Sequence, residues 1–342
     1  MKVGIVGLGK MGMLHTGILN TLDDVDIVSV AENESQLTKY IKNAISSANV
    51  YEDYQMMIKN EELDLVYITT PPSSHMQIAL ECVKRGVNFF VEKPLTSNLE
   101  EAKKLCAELK NAAVVHSVGY NMRFLETFVK AKYFLSQKIL GDVSFVKSSM
   151  YVSNIFSKPS GWRFKKKTSG GGVLLELGCH LIDFLLWYCG PVKKVSGQVK
   201  SLYSAVEDTA HMEMEFLNNA RGVLDTSWSI EGYRTPEANI EIVGSNGKLR
   251  VNQDFIKIEL ASPVPPLQET KLIIYKQSLE NGVPFDVAGS DYTKEDMHVV
   301  QCVKEKKQPL VNVFEASKTQ SVIQAMYEAA KSESIREVEY ID

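Results

Sequence analysis

The chain opens on Val3-Gly4-Ile5-Val6-Gly7-Leu8-Gly9-Lys10-Met11-Gly12, an apolar run that breaks directly into a G-x-G-x-x-G turn. That spacing constrains the backbone before any side chain matters. The first glycine makes a tight turn, the second lets main chain approach a ligand, and the third allows a helix to pack close to the strand. A strand that feeds a helix N-terminus through such a turn presents amide donors and a favourable dipole to an anion, as a pyrophosphate requires. The alternative is a glycine-rich turn of no function, which the placement between first strand and first helix disfavours.

A second feature sits further along, where Val87-Asn88-Phe89-Phe90-Val91 ends in Glu92-Lys93-Pro94. A Lys held by Pro at the end of a later parallel strand suggests a reacting group facing the crevice outside the carboxyl ends of the strands. Each feature alone is weak, and together, in this order, they are specific.

The pattern between and after them supports a parallel sheet with crossover helices. Strands are expected at Val3–Val6, Ile27–Val30, Leu65–Thr69, Val87–Val91 and Ala113–Val118, with Val50 marking a short third strand. Helices are expected at Gly12–Thr21, Ser35–Ala44, Tyr54–Lys59, His75–Arg85 and Leu99–Asn111. This predicts a doubly wound α/β domain over residues 1–121. Past Tyr120 the pattern changes: a helix near Leu125–Gln137, then mostly strands, then helices near Thr293–Lys304 and Glu315–Lys331. Thr209–Phe216 alternates apolar and polar residues, turns at Leu217–Ala220, and returns through Gly222, Leu224, Thr226 and Trp228. Further strands are expected at Ile240–Val243, Lys248–Val251, Phe255–Leu260 and Leu272–Tyr275. Such alternation predicts a largely antiparallel sheet with one solvated face, and so an α+β domain over residues 122–342.

The length of 342 residues suits about two domains, and 44% hydrophobic with 23% charged residues is ordinary globular composition. A net charge of -4 excludes a general nucleic-acid footprint. The local basic cluster Arg163, Lys165, Lys166 and Lys167 reads as a solvated loop before it reads as an anion site. Five scattered cysteines without C-x-x-C spacing suit a reducing compartment, four of them inside apolar helical patterns. No signal peptide and no uninterrupted membrane-spanning stretch is visible, so a cytoplasmic protein is expected.

Three further segments carry chemistry. Glu32 ends the second strand, where a carboxylate can accept hydrogen bonds from adenosine ribose hydroxyls and would repel a 2′-phosphate. With no Arg in Asn33-Glu34-Ser35-Gln36, NAD is expected before NADP. Thr70-Pro71-Pro72-Ser73-Ser74-His75 follows the fourth strand as a stiff loop beside the cofactor, with His75 belonging to that turn rather than to catalysis. The segment Gly170-Gly171-Gly172 opens an apolar helix in which Glu176, His180 and Asp183 fall at i, i+4 and i+7 on one face. Ionisable groups there are costly unless paired or used. A satisfied core network, a metal site and a catalytic His oriented by carboxylates all compete. The third is favoured, and the lack of a second His at metal spacing weighs against the metal.

The ordered set of motifs resembles the Gfo/Idh/MocA oxidoreductases, the family of glucose–fructose oxidoreductase and inositol 2-dehydrogenase. The resemblance spans essentially the whole chain: Gly7–Gly12, Thr70-Pro71-Pro72 with His75, Glu92-Lys93-Pro94, Gly119-Tyr120-Asn121-x-Arg123-Phe124, Trp162-Arg163, and Gly170 through Asp183. It implies an NAD(P)-dependent dehydrogenase acting on a CH–OH group. Gly7, Leu8, Gly9, Lys10, Met11, Gly12, Glu32, Thr70, Pro71, His75, Glu92 and Lys93 would hold the cofactor. His180 would be the acid/base on the reacting hydroxyl, Lys93 would stabilise its alkoxide, and Glu176, standing where many members carry Asp, would touch substrate or orient His180. Lys93, His180, Asn121, Arg123, Trp162, Arg163 and Asp183 would line the substrate site.

The family implies a sugar, cyclitol, sugar phosphate or nucleotide sugar, and the basic residues at 163–167 raise the case for an anionic one. Two other functions stay open on this fold: a hydrolase that retains NAD and oxidises transiently, and a non-catalytic NAD- or sugar-sensing regulator. Imine or biliverdin reduction is disfavoured by the glycine-opened His helix. A homodimer or homotetramer is expected on family grounds, with no metal, nucleic-acid or membrane partner.

Overall fold

The computed structural model describes residues 1–33, 48–279, 282–286 and 289–341. The helix expected at Ser35–Ala44 lies outside these residues. The chain divides into two compact units: Met1–Asn121 with Val283–Ser317 and Ile341, and Met122–Gly282 with Lys318–Tyr340. The first break falls after Asn121. The segment Val283–Ser317, which the sequence reading gives to the C-terminal domain, packs with the first unit.

The first unit holds a six-stranded sheet in the order β3-β2-β1-β4-β5-β6, every pair parallel. Its strands are β1 (Lys2–Val6), β2 (Asp26–Ala31), β3 (Asn49–Tyr51), β4 (Leu65–Ile68), β5 (Asn88–Glu92) and β6 (His116–Gly119). The described helices are α1 (Lys10–Leu19), α2 (Tyr54–Asn60), α3 (His75–Arg85) and α4 (Leu99–Leu109). The strands read as near-continuous apolar runs because both faces are covered. Val3, Ile5, Leu65, Tyr67 and Phe90 form one core with Leu19 of α1 and with Val299 and Val300 of a C-terminal helix, α8 (Ser290–Glu305). That shared core is why the late segment belongs here. The strand order reverses between β1 and β4, the point at which open α/β sheets leave a crevice.

The second unit is built on a nine-stranded sheet ordered β14-β13-β12-β11-β7-β10-β9-β8-β15. In chain order these are β7 (Val143–Tyr151), β8 (Val192–Lys200), β9 (Thr209–Phe216), β10 (Arg221–Ser227), β11 (Glu237–Gly244), β12 (Gly247–Val251), β13 (Phe255–Leu260), β14 (Lys271–Tyr275) and β15 (Arg336–Glu337). The β7–β10 pair is parallel and the other pairs are antiparallel. Along β9, Ala210, Met212, Met214 and Phe216 are buried, and His211 and Glu213 face solvent, as the alternation predicts. The buried face carries α5 (Glu126–Ser136) and α7 (Cys179–Cys189), where Phe128 and Phe184 stack with centroids 4.3 Å apart. A short helix α6 (Lys166–Ser169) lies between them in the chain, and α9 (Val313–Ser332) is the last described helix.

The helical run Lys166–Cys189 is long and apolar enough to cross a membrane by length and composition alone, although its apolar residues are interrupted in sequence by Glu176, His180 and Asp183. Its most apolar window is 83% buried inside the protein, so its hydrophobicity is that of a core helix. All five cysteines are free and buried.

Candidate active site

In the first unit the strand register aligns the carboxyl edge. Val6 pairs with Ala31 and Ile68, Ile68 with Val91, and Glu92 with Gly119. The loops that carry Gly7, Glu32, Thr69, Lys93 and Tyr120 therefore all leave the sheet along one edge.

The glycine turn divides by physical cause. Gly7 has φ of +88°, a conformation that disfavours side chains, and an added Cβ would lie 2.8 Å from Thr70 Cγ2. A Cβ on Gly12 would lie 2.1 Å from the Gly7 carbonyl oxygen, so helix α1 could not start so close to the strand. Gly9 differs from both. It caps α1 with φ of -63° and ψ of -170°, which any residue adopts, and its added Cβ would meet nothing within 4 Å. The protein's own packing does not require a glycine there. A position kept bare beside a helix N-terminus without a capping side chain fits close approach by a pyrophosphate. NAD is thus accommodated by the residues present.

Glu32 is drawn into the same turn: its Oε2 accepts the Leu8 N–H at 2.7 Å. Thr69, which motif reading leaves as the end of a strand, donates its hydroxyl to the Gly7 carbonyl at 2.6 Å and fixes the turn from below. Lys10 is exposed and Met11 half-buried at the start of α1.

Thr70 and Pro71 are held by the next turn, where Ser74 Oγ donates to Thr70 Oγ1 at 2.8 Å and to the Pro71 carbonyl at 2.9 Å. His75 is buried with Nδ1 2.9 Å from the Pro94 carbonyl oxygen and Nε2 2.8 Å from that of Thr70. It ties the Thr70 turn to the Lys93–Pro94 turn and belongs to the scaffold of both. The Lys93 backbone N–H donates to Glu92 Oε2 at 3.0 Å. Asn121 is buried, and its amide donates to Asp291 Oδ2 at 2.5 Å.

In the second unit the expected continuous helix from Gly172 is interrupted. Residues Leu174–Gly178 form a π turn, and regular α-helix begins at Cys179. A π turn inserts a residue into the helical repeat, so the i, i+4, i+7 stripe is not the single straight row expected for Glu176, His180 and Asp183. The glycine triplet also has an internal cause. An added Cβ on Gly172 would lie 2.2 Å from the Glu207 carbonyl oxygen, and one on Gly171 2.1 Å from the Tyr327 hydroxyl. Glu207 Oε1 accepts the Gly172 N–H at 2.8 Å, the Leu174 N–H at 3.2 Å and the Tyr327 hydroxyl at 2.7 Å. This buried carboxylate anchors the start of the helical segment that carries His180. Residues as far apart as 172, 207 and 327 meet there, which no local motif announces.

His180 is buried to 7% exposure on the first turn of α7. Asp183, three residues on, accepts Arg123 through both oxygens, each contact 2.7 Å, with both residues almost fully buried. The Arg123 guanidinium also lies 5.2 Å from the centre of the Trp187 ring. Glu176 is paired with Arg163, Oε1 to Nε 3.2 Å. Arg163 in turn stacks over Trp162, which is 38% exposed. Lys165–Lys167 follow on the surface.

The comparisons with known proteins agree on class. A family model for an oxidoreductase family with an NAD-binding Rossmann fold matches residues 1–120, and the GFO/IDH/MocA C-terminal domain model matches residues 128–250. The protein is an NAD-binding oxidoreductase. The chain belongs to the GFO/IDH/MocA family. It is 26% identical over 258 residues to myo-inositol 2-dehydrogenase of Thermotoga maritima, covering 73% of this chain and 74% of the relative. It is 23% identical over 334 residues to a trans-1,2-dihydrobenzene-1,2-diol dehydrogenase of Xenopus tropicalis, covering 94% and 96%. Among solved structures, levoglucosan dehydrogenase in complex with NADH matches over 100% of both chains with a TM-score of 0.89 at 21% identity, a likeness of fold.

Proposed function

We propose that the protein interconverts a secondary alcohol and a ketone on a sugar, cyclitol or nucleotide sugar, with His180 as acid/base and Lys93 stabilising the alkoxide. When bound, the nicotinamide supplies the hydride acceptor or donor. The residues of the chain handle charge and the proton. In oxidation the imidazole of His180 takes the hydroxyl proton while the Lys93 ammonium offsets charge developing on that oxygen. In reduction His180 returns the proton to the new alkoxide.

The observation that carries this reading is the fixing of Lys93 at the sheet edge that also bears the bare Gly9. Its N–H is held by Glu92 and the following Pro94 carbonyl by His75, so its main chain is placed before substrate arrives. Glu32 near the glycine turn supports NAD over NADP. The engagement of Glu176 with Arg163 supports a positioning role for Glu176. Trp162 and Arg163 together offer a ring surface and a cation, which suits a sugar bearing an anionic group. Arg123 and Asp183 neutralise each other and support α7, and the Asn121 amide, just past β6, donates to Asp291. Assembly as a homodimer or homotetramer belongs to the same proposal.

The test is NADH formation at mildly alkaline pH against free sugars, cyclitols, sugar phosphates and nucleotide sugars, with NADP+ in parallel. Turnover on one class names the substrate. Silence with NAD retained through purification would favour a hydrolase that oxidises transiently, and silence with freely exchanging NAD a regulator.

A further inference from the structure

The first unit contains a buried charge network that the reaction proposed above does not use. His15 lies three residues beyond Gly12, on the buried face of α1 with Ile18 and Leu19, and is fully excluded from solvent. Its Nδ1 is 2.9 and 3.0 Å from the two carboxylate oxygens of Asp296 on α8, and its Nε2 is 3.0 Å from Glu92 Oε1. An imidazole with acidic oxygens at both nitrogens matches the imidazolium, the one state of histidine with two N–H donors. Tyr67 of β4 adds a donor to Asp296 Oδ1 at 3.1 Å. The rings of Tyr67, Phe90 and Tyr292 pack 5.4, 4.9 and 6.2 Å from the imidazole and exclude water.

Burial alone would push the His15 pKa down. The charge and hydrogen bonds of Asp296, then of Glu92, outweigh it and raise the pKa well above 6.5. A network of this kind could serve merely to clip α8 and α1 to the sheet. What sets it apart is the far side of Glu92. One carboxylate oxygen is engaged by His15 and the other accepts the Lys93 N–H at 3.0 Å. The carboxylate cannot turn to improve one contact without loosening the other.

We infer that His15 is a positioning residue for Lys93, acting through Glu92. This rests on the reading of Lys93 as the group that meets the reacting oxygen. A helix of the cofactor cradle and the strand end that bears Lys93 are then joined through one imidazolium, which fixes where the lysine's main chain leaves the sheet.

Two isosteres separate the arms of the histidine. The amide nitrogen of Asn stands where Nδ1 stands, and that of Gln where Nε2 stands. His15→Asn keeps a donor toward Asp296 and loses the one toward Glu92; His15→Gln does the reverse. Lys93 is read directly in the full-length protein by competitive acetylation with acetic anhydride, followed by peptide mass spectrometry, with the other lysines as internal reference. This readout needs no substrate. Leu109→Ala, a core truncation on α4, serves as a destabilised control.

His15→Asn is expected to change Lys93 labelling several-fold, and His15→Gln to stay near wild type. On any compound that turns over, kcat should fall about 10- to 100-fold in the Asn variant with KM for NAD little changed, and much less in the Gln variant. The inference is overturned if Lys93 labelling is unchanged in both variants and activity follows only the folded fraction, as in Leu109→Ala. It is also overturned if the Gln variant is the impaired one. Where neither His15 variant folds, Glu92→Gln decides: altered Lys93 labelling supports the coupling and wild-type labelling refutes it. Lys93→Met with full turnover would sink the catalytic reading of Lys93, while the labelling would still report whether His15 and Lys93 are coupled.

Discussion

A Cβ on Gly12 would stand 2.1 Å from the carbonyl oxygen of Gly7, whereas one on Gly9 would meet nothing within 4 Å. The protein's own packing therefore requires glycine at 12 and not at 9, and the function proposed above assigns the opening at Gly9 to the cofactor's pyrophosphate. Gly12→Ala is expected to lower Tm clearly, by an amount typical of overpacking, about 1–3 kcal/mol. Gly9→Ala is expected to leave Tm within experimental error and to weaken NAD binding at least tenfold (about 1.4 kcal/mol) in calorimetric titration. Equal NAD affinity in Gly9→Ala would contradict the assignment of that opening to the pyrophosphate.

The Arg123–Asp183 pair is buried on both sides and doubly hydrogen-bonded. Removing one member strands the other's charge, so Arg123→Ala or Asp183→Ala alone should cost about 3–5 kcal/mol in chemical denaturation. The double variant Arg123→Met with Asp183→Leu should cost much less than the sum. Additive losses would show that the two charges do not depend on each other.

Glu295 supplies a pH signature. It is fully buried on α8, and neither carboxylate oxygen has a hydrogen-bond partner among the described residues. Burial raises its pKa well above 4.5, opposed in part by His15 and reinforced by Glu92, Asp296 and Asp291. The folded state thus keeps this proton at pH values where the unfolded chain has released it. Its contribution to stability falls as pH rises from 4.5 toward the folded value. Glu295→Gln cannot ionise, so its Tm relative to wild type should climb between about pH 5 and pH 8. A constant difference across that range would contradict the raised pKa.

His15 has the opposite sign. Its pKa is raised in the folded state, so the stability it confers is full below 6.5 and is lost as pH rises through the folded value. His15→Gln should therefore lose most Tm in mildly acidic buffer and least at alkaline pH, and a uniform loss would count against a folded-state imidazolium.

Much of this architecture is legible in the chain. The doubly wound sheet follows from apolar runs whose burial on both faces leaves no polar stripe, and the β9–β10 hairpin from clean alternation around Leu217–Ala220. Strand β7 is harder to see because Ser148 occupies an inward position, its hydroxyl donating to the Val223 carbonyl at 3.2 Å. In β8 the register shift between Val192 and Lys194 breaks the alternation itself. The π turn before His180 leaves no trace in a helical repeat. The His15–Asp296 contact joins residues 281 apart, and its signal is indirect: charged side chains on faces that the apolar pattern assigns to the core. The glycine fingerprint and Glu92-Lys93-Pro94 can be read in sequence because each needs its own local backbone. The partners that hold them, Thr69 and His15, come from the tertiary fold, as does Glu207 at the opening of the His180 helix.

The most direct measurement is the rate of NADH formation by wild type, His180→Ala and Lys93→Met on a compound that the substrate panel identifies, with NAD binding measured in parallel. Loss of a positioned acid/base should lower kcat by about 10²–10⁴-fold in His180→Ala while NAD affinity stays near wild type. Lys93→Met should lose kcat by a comparable factor, about 10²–10³-fold, through the missing charge at the alkoxide. Wild-type turnover in His180→Ala, with the variant folded and NAD bound, would contradict the account at its centre.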